Sequence, residues 1–212
     1  MASVLSRAIA LRKANPFGQF GQSNDSLSNN GATGCTDTVL QFILKLVKNG
    51  WQTHNQIRQK VGHRNPLTGL NSSEVGAWFR AMGLPYTVKF NLTVDQMLAL
   101  SRSRGPVFIA EMYSAHPHWH GYRGATGRPN GYAHPSGAAG RNQFTWGGRH
   151  AILLLGYTSS SAVYVMEPNH NSPARPQKVA YDVISVAQLR VLVAAWKRNT
   201  GNTYCAYPTK AL

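Results

Sequence analysis

"HAILLLGYTSSSAVYVME" (residues 150–167) decides how this chain is read. Two apolar runs, 150–157 and 162–167, flank a serine-rich turn at 158–161, which is the pattern of two buried strands joined as a hairpin. The first run opens on a histidine and the second closes on a glutamate. Strands paired in a hairpin bring their outer ends side by side, so Glu167 can reach the ring of His150. A carboxylate there would orient the imidazole and support its protonated form. Such a pair calls for a nucleophile elsewhere in the chain.

"NNGATGCTDT" (29–38) supplies one. It reads as a loop that delivers Cys35 to the mouth of a helix, whose apolar positions Val39, Leu40, Phe42, Ile43, Leu46 and Val47 follow helical spacing as far as Asn49-Gly50. Backbone N–H groups and the helix dipole stabilise a thiolate at that position. The cysteine's own N–H can face a developing oxyanion. A small buried cysteine is the bland alternative, and Cys35 alone would favour it. With His150 and Glu167, the order becomes nucleophile, base, orienter. The other cysteine, Cys205, leaves room for one disulfide, but two free thiols are the simpler reading.

Other elements follow the same logic. Thr53 caps a short helix through Val61, and "LNSSEVGAWFRAMGLP" (70–85) reads as a serine-capped helix with Val75, Trp78, Phe79 and Met82 on one face. That apolar face leads into a strand and argues against a helix-turn-helix. Strands are expected at 86–91, 106–113 and 203–208, and helices at 93–105 and 186–198. Helices first and strands later make an α+β domain. Residues 1–30 read as an N-terminal arm or lead-in, and 31–212 as one domain. Between its strands lies a long segment, 114–148, with eight glycines and little periodicity.

In the order of these motifs the chain resembles the papain-like cysteine peptidases of the C39-like group, over roughly residues 29–208. The resemblance rests on a cysteine at a helix start, a helical half, then histidine, strand, hairpin, strand and acid. It implies a papain-like α+β fold, with an N-terminal helical half and a C-terminal antiparallel sheet. It also implies thiol-dependent cleavage of a peptide or amide bond without a cofactor. Cys35, His150 and Glu167 would be the catalytic set, and Asn29, six residues before the cysteine, would complete the oxyanion hole. Three positions depart from the family: Asn29 replaces the usual glutamine, "CT" replaces "CG", and Glu167 replaces aspartate. Asn169 is an alternative orienter, since papain relatives use asparagine there.

The 114–148 segment carries aromatic residues, among them Trp119, Tyr122 and Trp146, suited to gripping a substrate or pinning the loop to its own core. Its "HPHWH" (116–120) with His134 suggests a metal, but no cysteine or carboxylate shares the spacing, so no metal site is assigned. The balance of 22 basic and 7 acidic residues gives a net charge of +15, which favours anionic polymers as partners. The basic residues are scattered and no nucleic-acid motif accompanies them. No apolar run is long enough for a membrane span, and residues 1–18 lack the apolar core of a signal peptide. Arginine usage, charge and the helical half also resemble domains encoded by phages of actinobacteria. That second likeness implies a virion-associated or lytic enzyme acting on peptidoglycan stem peptides, found in the virion or in the host cytoplasm before release. Its rival is a structural minor virion protein at a tail tip, with a degenerate site, bound to other virion proteins through the arm.

Overall fold

The computed structural model describes residues 3–14, 34–65, 69–111, 151–166, 168, 182–187, 189–190, 193–194, 197 and 202–212. Its elements are α1 (Val4–Ala14), α2 (Cys35–Lys48), α3 (His54–Lys60), α4 (Ser72–Ala81), β1 (Tyr86–Phe90), α5 (Val94–Ser103), β2 (Val107–Glu111), β3 (Ala151–Ser159), β4 (Ala162–Met166), β5 (Asp182–Ile184) and β6 (Thr203–Pro208). The described residues of 186–198 are helical. This is the mixed helical and antiparallel architecture that the sequence predicts.

The six strands form one sheet in the order β1-β6-β2-β3-β4-β5, and every neighbouring pair is antiparallel. Strand alternation sends side chains to two separate cores. Phe108, Ala110, Ala151, Leu153, Leu155, Tyr204 and Ala206 join Val39, Phe42, Ile43, Trp78 and Phe79 of α2 and α4 on one face. Val107, Ile109, Ile152, Leu154 and Cys205 join Met97 and Leu98 of α5, with Leu189 and Val193, on the other. A sheet covered on both faces explains why β2 and β3 read as continuous apolar runs.

Three features differ from the sequence expectation. The lead-in begins with a docked helix: Ala8 of α1 is fully buried and Leu5 and Leu11 pack against the first core. The cap of α4 is Asn71, not a serine; its side chain accepts from the N–H groups of Ser73 and Glu74, while Glu74 accepts from the Asn71 N–H at 2.7 Å. Asn71 wins because only it has a glutamate three residues later to close a capping box. Finally, β5 adds an edge strand that three residues are too few to announce.

Candidate active site

Helix α2 starts at Cys35 itself, with Gly34 as its N-cap. Helices α3, α4 and α5 each open with a closed capping box, built on Thr53, Asn71 and Thr93. Gly34, having no side chain, provides no such cap for α2. The helix macrodipole puts partial positive charge at this first turn. Cys35 forms no disulfide and is 1% exposed, enclosed in the first core.

Ala151 and Met166 belong to the same core as Cys35. They are the chain neighbours of His150 and Glu167 respectively, and β3 pairs with β4 through Leu153 opposite Met166. The expected base and acid thus extend neighbouring strands, with Met166 two residues in from Ala151 in the pairing, and both Ala151 and Met166 lie in the core that holds the candidate nucleophile. His150, Glu167, Asn169 and Asn29 themselves lie outside the described residues, as do Trp119, Tyr122, Trp146 and the histidines of the 114–148 segment. Among the described residues no group of His, Cys, Asp and Glu forms a metal-binding set, and no helix is long and apolar enough to cross a membrane.

Sequence reasoning missed a polar group packed between α2 and α3. Thr36, Asp37, Thr38 and Gln41 of α2 are all buried, as are His54 and Arg58 of α3. His54 and Arg58 are four residues apart and share one face of α3. Arg58 donates to Asp37 Oδ2 from Nε at 2.9 Å and from Nη2 at 2.7 Å. The Thr38 hydroxyl donates to the Gly34 carbonyl at 2.8 Å, so it must accept from His54 Nε2, 3.1 Å away. His54 Nε2 also lies 3.2 Å from Gln41 Oε1, which can only accept. A donating Nε2–H satisfies both contacts at once. The chain continues from Gln41 Nε2 to the Gln52 carbonyl at 2.8 Å, and Trp78 Nε1 of α4 donates to Gln52 Oε1 at 2.9 Å. The polar spacing of "CTDTVLQ" (35–41) against "THNQIR" (53–58) is the only trace of this group in the sequence.

No protein-family model and no curated protein sequence matches the chain significantly. Among solved structures, a Bacillus anthracis protein provisionally assigned as a C39-like peptidase matches with a TM-score of 0.50 at 12% sequence identity. The match covers 84% of this chain and 90% of that one. At that identity the likeness establishes a shared fold.

Proposed function

We propose that the chain is a papain-like thiol hydrolase that cleaves a peptide or amide bond. The observation that carries this reading is the placement of Cys35. It begins a helix whose N-cap is a glycine, in the core that holds Ala151 and Met166, the neighbours of His150 and Glu167. The C39-like fold of the solved neighbour supports it.

In this mechanism the Cys35 sulfur attacks the carbonyl carbon and His150 takes the thiol proton. The tetrahedral oxyanion is met by the Cys35 N–H and the Asn29 amide. Its collapse expels the amine, which leaves with the proton from His150. Water, deprotonated by the same ring, then releases the acid from the thioester. Glu167, or Asn169 in its place, orients His150 throughout. Trp119, Tyr122 and Trp146 grip the substrate. The net charge of +15 holds the protein near anionic polymers, consistent with a phage-encoded enzyme working on peptidoglycan stem peptides.

A second reading, a structural virion component with a spent site, draws on the near-complete burial of Cys35, an environment that structural cysteines share. Iodoacetamide labelling at neutral pH separates the two. A nucleophile is alkylated at Cys35 far faster than at Cys205 and faster than the same thiol in denaturant. Hydrolysis of stem-peptide substrates is then lost in Cys35→Ser. Labelling of native Cys35 no faster than the denatured thiol would leave only the structural reading.

A further inference from the structure

The buried polar group described above holds one particular peptide unit, the one between Gly34 and Cys35. Its carbonyl accepts from the Thr38 N–H at 2.9 Å and from the Thr38 hydroxyl at 2.8 Å. Its N–H is the Cys35 N–H. A trans peptide is planar, with C=O and N–H pointing in opposite directions, so a carbonyl held at two points also fixes where the N–H points. The hydroxyl that makes the second bond is itself held by His54 Nε2–H, and His54 is held by Gln41. A threonine that back-bonds to its i−4 carbonyl usually does so alone and slightly loosens its helix. Here the hydroxyl is buried and has a second partner from another helix.

We propose that Thr38 and His54 are positioning residues for the oxyanion donor. By holding the Gly34 carbonyl, they aim the Cys35 N–H at the spot where negative charge develops on the attacked carbonyl oxygen. The Asp37–Arg58 pair, from the same two helices, keeps α3 seated so that His54 reaches Thr38. This inference rests on Cys35 being the nucleophile. It adds that α3 sets the direction of a transition-state contact.

Two probes that use the same sulfur differently test it. With p-nitrophenyl acetate, the Cys35 sulfur bonds to the acyl carbon through a tetrahedral oxyanion. The nitrophenolate leaves with the electron pair of the broken C–O bond, and the thiol proton passes to the base. With iodoacetamide, the sulfur displaces iodide in a single step that forms no oxyanion. A complete oxyanion donor is worth about 10²–10³-fold in rate, and a misdirected one forfeits part of that. Thr38→Val should therefore lower the acylation rate of Cys35 at least tenfold, while iodoacetamide alkylation changes less than about threefold on the same principle. Thr38→Ser, which restores the hydroxyl, should recover acylation.

A second pair guards against a folding defect. His54→Gln keeps an N–H donor near the position of Nε2, and His54→Leu keeps none. Only the leucine variant should reproduce the loss of acylation. If acylation is unchanged in Thr38→Val and His54→Leu, or if acylation and alkylation fall in parallel, the positioning role is overturned while the nucleophile stands. If the wild-type protein is neither acylated nor alkylated faster than its denatured thiol, the hydrolase reading falls and this inference falls with it.

Discussion

Cys35 and Cys205 are both buried, but they lie in the two different cores, on opposite faces of the sheet. Burial pushes the Cys205 thiol up to about 12, with Lys197 drawing it back only partly. Burial also raises the Tyr86 phenol, whose hydroxyl donates to the Pro106 carbonyl at 3.3 Å. Both groups stay neutral in the native protein after the unfolded chain has released their protons. The stability they contribute is full below about pH 9 and is lost as pH rises toward the native values. One such group costs about 1.4 kcal/mol per pH unit in that window. Urea midpoints should fall as pH rises above about 9, and Cys205→Ala should flatten the first part of that decline. Equal slopes in the two proteins would refute the assignment. The position of Cys35 at a helix start was legible because a cysteine at the head of a helical pattern is a local signal. The grip of His54 on Thr38 was not, since it joins residues sixteen apart through side-chain atoms that no periodicity encodes.

The capping boxes show how far an element can be read from its own residues. Thr53 with Gln56 and Thr93 with Gln96 follow the threonine-x-x-glutamine pattern, and both form as written. For α4 the sequence offers Asn71, Ser72 and Ser73, and only the reciprocal bond to Glu74 chooses among them. Glu74 also reaches beyond its own helix, where its Oε1 meets His63 Nδ1 at 2.8 Å and ties the end of α3 to the start of α4. His63 Nε2 faces the Asn65 carbonyl at 2.8 Å, so both ring nitrogens meet acceptors. Asn71→Ala should cost about 1 kcal/mol in urea unfolding, as the loss of a good cap does. Ser72→Ala should be neutral or slightly stabilising, because that residue lies inside the helix, where alanine is the better helix former. A larger loss for the serine would return the cap to it. The other strands and the helices α2, α4 and α5 were readable from their apolar patterns, and α3 from its Thr53 cap. β5 was not, because three residues carry no period.

At the scale of the whole molecule, α1 turns part of the apparent lead-in into a structural member. Leu5 packs over Gly156 of β3, and a Cβ built at Gly156 would lie 3.3 Å from Leu5 Cδ1 and 3.4 Å from Cδ2. Gly156 also has φ +152°, a backbone setting that side chains other than glycine resist. It lies where the pairing of β3 with β4 slips in register, between Leu154 and Gly156. Gly156→Ala should therefore destabilise the protein by about 1–3 kcal/mol through crowding and backbone strain together. Leu5→Ala in the same chain should recover the crowding part. A Gly156→Ala protein as stable as wild type would mean that α1 does not seat on β3 in solution. The helix at 4–14 escaped the sequence reading because its apolar residues, Val4, Leu5, Ala8, Ile9, Ala10 and Leu11, are spread around it and mark no single face.

Local sequence was enough for most of the elements, though not for α1 or β5, and for the order of the marked residues along them: a cysteine at a helix head, a histidine before one buried strand, an acid after the next. Those are local facts, carried by apolar period, turn residues and caps. The tertiary structure decided which faces meet. It placed β6, the last strand, between β1 and β2, and it put Cys35 with Ala151 and Met166 on one side of the sheet and Cys205 on the other. It also brought α3 against α2, so that a histidine and an arginine hold the first turn behind the cysteine. The physical reason is that burial and hydrogen-bond satisfaction are properties of pairs of surfaces. A single segment shows which of its faces must be covered, and only the assembled sheet shows what covers it.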